Sequence, residues 1–203
     1  MTARPTRDLI VEKADDLFYS GGFEATSFAG IATQLGLSRG NFYHHFKSKD
    51  QILDAVIARR MQRTRAMLET WEDSGQTPRD RILSFVHIVI VNRAPIMAHG
   101  CPAGTLCGEL AKLNHIAQGR AAQVLGLFRD WLAGQFRALG ASEARALDLA
   151  LHVLGWSQGV AVMAAAFRDE SLIRREVAGI TDWLDGLPGL SAAEQEPKCS
   201  SPS

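Results

Sequence analysis

"TSFAGIATQLGLSRGNFYHHFKSKD", residues Thr26–Asp50, carries the pattern on which the reading of the chain turns. Thr26 or Ser27 offers a hydroxyl to cap a helix in which Phe28, Ile31, Ala32 and Leu35 share one side, and Gly36 breaks it. Ser38 then caps a third, very short helix. Ala32, Gly36 and Phe42 have helix-turn-helix spacing: a small residue lets two helices approach, glycine permits a left-handed turn, and an aromatic ring fills the gap between them. Phe42, His45 and Phe46 fall at i, i+3 and i+4, so they face the preceding helices.

Arg39, Gly40, Tyr43 and His44 project elsewhere, with Asn41 at the margin. They are the types that duplex DNA requires: an Arg for guanine edges, a glycine for close approach, Tyr and His for phosphate oxygens, and an Asn for adenine or a phosphate. Lys49 starts the next helix, where its ammonium and the free first-turn amides converge on one phosphate, and Thr26 or Ser27 serves similarly at the second helix. A metal site at His44 and His45 is disfavoured, because adjacent helical positions diverge by about 100 degrees and no Cys, Asp or Glu has supporting spacing.

Outward from this stretch, Ile10, Ala14, Leu17 and Phe18 recur at helical spacing before Gly21 and Gly22. Ser48 and Gln51 have the spacing of a reciprocal capping box at the start of a long fourth helix that runs to about Trp71. "EDSGQTP" then reads as a linker. Thr77, Pro78 and Asp80 begin another helix, apolar on nearly all sides and ended or kinked at Pro95. Further helices fit at 103–113, 117–139, 142–167 and 171–187, and the small, polar tail 189–203 reads as disordered.

Ser38, Gly40, Phe42, Tyr43, His45, Phe46, Ser48, Lys49 and Asp50 together resemble the signature of the tetracycline-repressor (TetR) family of bacterial transcription regulators, and "GFEATSFAGIATQLGLS" resembles its first two helices. The resemblance covers the first quarter to third of the chain. It implies an all-α protein with an amino-terminal three-helix DNA-binding domain, residues 1–50, joined by the helix 48–72 to a helical-bundle dimerisation and ligand domain, residues 73–188. It also implies that Thr26 or Ser27, Arg39, Gly40, Asn41, Tyr43, His44 and Lys49 contact an operator, and that a homodimer represses transcription until a small-molecule effector releases it. Phe28 stands where a smaller aliphatic is common in the family. Two-fold symmetry would make the operator palindromic, with recognition helices about 34 Å apart or at a related spacing.

In the second domain, Gly155, Gly159, Ala161, Ala164 and Ala165 offer small surfaces that suit either a helix pair across a dimer or an internal core. In "HGCPAGTLCGEL", Pro102 suits a first helical position, which places Cys101 at the cap, where free amides favour a thiolate. Two readings stand for Cys101 and Cys107: sensing of thiol-reactive compounds, or inert packing. Six residues apart on one helix, they are too far for a disulfide. His87, His99, Phe128, Trp131, His152, Trp156 and Met163 fit the lining of an effector pocket for a hydrophobic or aromatic compound, and equally a core.

The 203 residues balance 22 Lys and Arg against 22 Asp and Glu, so DNA affinity must come from local clustering, which argues against a non-specific architectural binder. Three cysteines, the absence of a signal-like amino terminus and no apolar run of membrane-spanning length give a cytoplasmic expectation, with no cofactor. The alternative class is a helical-bundle enzyme with Cys101 as nucleophile and His99 or His115 as base; it lacks an orienting third group and leaves the helix-turn-helix spacing unexplained.

Overall fold

A computed structural model describes residues 5–75 and 77–188; Cys199 and the tail expected to be disordered lie outside the described residues. Among the described residues there are ten helices and no strand: α1 (Thr6–Gly21), α2 (Phe28–Gln34), α3 (Arg39–His45), α4 (Lys49–Ser74) and α5 (Pro78–Val91), followed by α6 (Arg93–His99), α7 (Pro102–Lys112), α8 (Gln118–Ala138), α9 (Glu143–Phe167) and α10 (Glu170–Asp185). The all-helical reading holds.

Local chemistry accounts for the boundaries. Ser27, Ser38 and Ser142 each accept a backbone N–H at their helix starts. Thr77 and Asp80 form the complete capping box at α5, with Pro78 in the first turn. At α4 the expected reciprocal pair is altered. Ser48 Oγ accepts Gln51 N–H at 3.2 Å, but the Gln51 side chain reaches one residue further back, to Lys47 N–H at 2.8 Å.

Pro95 does not end α5. The break falls at Asn92, and Pro95 sits in the first turn of α6, a helix not foreseen in the sequence. The physical reason is that a proline ring collides with the carbonyl four residues earlier, here Val91, and the chain yields there. The expected linker is also held at its first residue: Glu72 accepts Trp131 Nε1–H and Gln135 Nε2–H at 2.9 Å each, and pairs with Arg81 at 2.8 Å.

The buried apolar side chains form two clusters. One joins α5, α6, α8, α9 and α10 through Phe85, Leu132, Phe136, Val153 and Ile173. The other unites α1 to α4 through Ile10, Phe18, Ile31, Phe42 and Ile52, and it includes Leu106 and Leu110 of α7 and Ala121 of α8. By length and composition α9 would suffice to cross a membrane, contrary to the sequence-level count of apolar runs. Its buried positions Ala150, Val153, Leu154, Ser157 and Ala161 make it instead the core helix of the bundle.

Candidate DNA interface and effector cavity

Gly36 at φ +62° makes the left-handed turn between α2 and α3, and Phe42 and Phe46, 1% and 2% exposed, anchor α3 into the amino-terminal core. His45 is half-buried at the core edge. Arg39, Gly40, Asn41, Tyr43 and His44 remain on the outside. Phe28, the unusual aromatic, meets Phe42 edge to face at 4.8 Å and Tyr43 at 5.2 Å, while the Arg39 guanidinium lies 5.8 Å from the Tyr43 ring. The large ring therefore stiffens the outer face from beneath. The His44 and His45 rings touch each other at 5.3 Å, and among the described residues no group of three metal-ligating side chains accompanies them.

Three expected phosphate donors are placed unequally. Ser27 is exposed and uses its oxygen as the cap of α2, accepting Gly30 N–H at 2.9 Å, which leaves the hydroxyl proton to donate outward. Thr26 is half-buried and donates to Gly22 O at 2.7 Å. The Lys49 ammonium turns back: it donates to Phe23 O at 2.9 Å and Glu24 O at 3.2 Å and lies 4.2 Å from the centre of the Phe23 ring. The sequence predicts that ammonium at a phosphate; the tertiary fold supplies it with two carbonyls instead.

Between α1, α4, α5, α8, α9 and the α6–α7 junction lies a cavity of about 450 Å³. Its wall is mainly apolar, with Phe85, Ile88, Ile96, Leu125, Phe128 and Leu154 among the lining side chains. Polar groups gather on the side facing the amino-terminal unit. Arg60, 9% exposed, pairs with Asp15 at 2.7 Å and also donates to Pro102 O. The Tyr19 hydroxyl, facing Gly100 O at 2.7 Å and Pro95 O at 3.0 Å, has its pKa pushed up to about 12, chiefly by burial, with Cys101 adding and Arg60 opposing. Thr64, Ser157 and Gln158 add further polar groups to the lining.

Of the residues expected at a pocket, Cys101 and Phe128 line the cavity. Cys101 caps α7, its sulfur 3.5 Å from Gly104 N. Cys107 packs against the amino-terminal core, where burial raises its pKa, with Cys101 adding to the effect. Trp131, Trp156, Met163, His87, His99 and His152 are not in the lining. Trp131 donates to Glu72; His87, His99 and His152 are exposed, His99 against Tyr19 and His152 against Trp183. Sequence reasoning missed Tyr19, Asp15 and Arg60, because nothing in the periodicity of α1 or α4 tells which side meets a distant helix.

The small residues of α9 divide. Ala161 and Ala164 are buried inside the bundle, whereas Gly155 and Gly159 face outward with nothing within 4 Å of a built Cβ. Leu147, Leu151 and Val162 on the same helix are 41%, 48% and 68% exposed.

A buried three-helix unit with an exposed polar recognition face, set on a cavity-bearing helical bundle, defines a helix-turn-helix protein. Residues 10–56 match the family model of bacterial regulatory proteins, tetR family. The chain is 26% identical over 136 residues to the HTH-type transcriptional repressor DhaR of Mycobacterium sp. strain GP1, a match covering 65% of this chain and 64% of that protein. It is 36% identical over 64 residues to the HTH-type transcriptional regulator UidR of Escherichia coli K12, covering 32% and 33% of the two chains. A TetR transcriptional regulator from Legionella pneumophila has the same fold, with a TM-score of 0.80 at 22% identity over 91% of this chain and 98% of that one. Over residues 10–56 the chain is thus similar to the tetR family of bacterial regulatory proteins, and over nine-tenths of its length it shares the fold of a TetR regulator. These relatives are named as regulators, which removes the support for an enzyme built on Cys101.

Proposed function

We propose that this protein is a cytoplasmic, homodimeric transcriptional repressor that occupies a palindromic operator and leaves it when a small effector enters the cavity. The observation that carries the reading is α3 itself: its inner ring face is locked by Phe42 and Phe46 while Arg39, Gly40, Asn41, Tyr43 and His44 stand outside. Ser27 adds a phosphate donor, and Lys49 contributes through the amides of its helix turn. The repressor named among the relatives supports the direction of control.

The exposed Leu147, Leu151, Gly155, Gly159 and Val162 face supports dimerisation through α9. The apolar wall supports a hydrophobic or aromatic effector, and Cys101 at its edge supports one that reacts with thiols. To weaken binding, that effector must favour the released conformation over the operator-bound one.

The test is selection of bound fragments from the source genome by the full-length protein, followed by titration of the recovered site against salt. The expected result is a palindrome bound at least 1000-fold more tightly than random duplex, on the order expected of specific recognition. Binding with no sequence preference would sink the proposal.

A further inference from the structure

Helix α7 touches both parts of the molecule. Cys101 at its cap, Pro102 and Ala103 line the cavity, while Leu106 and Leu110 are buried in the amino-terminal core. On the same helix, about 12 Å further along at 1.5 Å per residue, Glu109 reaches the connection between α1 and α2. Its Oε2 accepts Phe23 N–H and its Oε1 accepts Glu24 N–H, each at 2.9 Å.

This contact is built with little tolerance. Gly22 has φ +88°, and a Cβ there would come within 3.0 Å of Glu109 Oε1. Lys49 holds the same two residues from the other side through their carbonyls, at 2.9 and 3.2 Å. Phe23, 2% exposed, is wedged against Phe18 and His115. Both peptide N–H groups and both carbonyls of a two-residue hinge are therefore committed, the former to α7 and the latter to α4. Each N–H meets a different carboxylate oxygen, so a carboxamide held in the same pose turns its NH2 donor toward one of them.

We propose that Glu109 is the positioning residue that couples the cavity to the recognition surface. Filling the cavity at Cys101 shifts the start of α7, and the Glu109 clamp carries that shift to the α1–α2 connection and so to α2 and α3. The proposal rests on the regulator reading above, and its closing experiment separates the two.

The experiment uses the full chain with Cys107→Ser and Cys199→Ser, N-ethylmaleimide as the probe at Cys101, and the operator fragment recovered by genomic selection. In alkylation the sulfur bonds to one alkene carbon, the thiol proton ends on the neighbouring carbon and nothing leaves; mass spectrometry counts the adduct. In this parent, alkylation lowers operator affinity at least tenfold. With Glu109→Gln added, the same adduct changes affinity less than threefold, whatever the starting affinity. Lys112→Gln, an exposed change at the end of the same helix, keeps the full response. A merely structural role for Glu109 would alter the starting affinity or stability and leave the ratio intact. An equal response in both proteins overturns the proposal, as does a parent that shows none, whether alkylation goes unfelt or Cys101 does not react. Failure of the untreated parent to bind any operator defeats the regulator reading, and the proposal with it.

Discussion

Replacement of Lys49 by Met distinguishes two roles that the same residue could have at a DNA surface. An ammonium resting on a phosphate would lower the dependence of log K on log salt by about 0.9 per protomer when removed. In this structure the ammonium is instead held by Phe23 O, Glu24 O and the Phe23 ring. Two partly exposed hydrogen bonds at about 1 kcal/mol each and a cation–π contact of about 0.5 kcal/mol together hold the connection by about 2–3 kcal/mol. Lys49→Met is therefore expected to accelerate amide exchange at Phe23 and Glu24 by roughly tenfold to a hundredfold, at about 1.4 kcal/mol per decade. Operator affinity should fall while the salt slope changes by less than about 0.3. The measurements are anisotropy titrations from low to high salt and hydrogen exchange of the free protein. A slope reduced by about 0.9 with unchanged exchange at those two amides would refute the reasoning and return Lys49 to the phosphate.

Other expectations concern recognition and stability. Arg39→Ala should relax selectivity at one operator position by about 1–3 kcal/mol, whereas Tyr43→Phe should weaken all sequences alike, as measured with single-base operator variants. Arg60→Met should destabilise the fold by about 3–5 kcal/mol in urea unfolding, because Asp15 and the Pro102 carbonyl lose their buried partner; a loss below about 1 kcal/mol would contradict the geometry. The Tyr19 hydroxyl gives a pH signature. Its folded pKa is raised from 10.0 to about 12, so its stability contribution is complete below pH 10 and declines as the unfolded phenol ionises above it, towards pH 12. The decline is bounded by about 2.7 kcal/mol and, with partial solvent screening, should be nearer 1; Tyr19→Phe should remove it.

Much of the architecture is legible in local pattern. Ser27, Ser38, Ser48 and Thr77 announce helix starts because the free amides of a first turn need an acceptor, and each of these side chains supplies one. The recognition helix is legible for a related reason: in a seven-residue helix, i, i+3 and i+4 spacing leaves only one way to bury Phe42 and Phe46. The break falls at Asn92 and not at Pro95 because proline acts on the carbonyl four residues before it, so the residue that disrupts a helix is not the residue where it ends.

The cavity was much less legible. His87, His99 and His152 attract notice as polar groups in apolar helices, yet they face solvent, while Tyr19 and Arg60, on helices first read as parts of the DNA unit and its connector, close the cavity. Glu109 carried no signal at all as one carboxylate among others.

The sequence by itself determined every helix but α6, most of the caps, the helix-turn-helix and the residues exposed on it, because those follow from hydrogen-bonding needs and periodicities within a few residues. Only the tertiary structure decided where the cavity lies, that the Lys49 ammonium turns inward, and that α7 grips the hinge before α2 through Glu109. Those outcomes depend on groups 25 to 86 positions apart in the chain meeting in space. No local periodicity encodes which surfaces two distant helices will present to each other when their apolar faces are buried together.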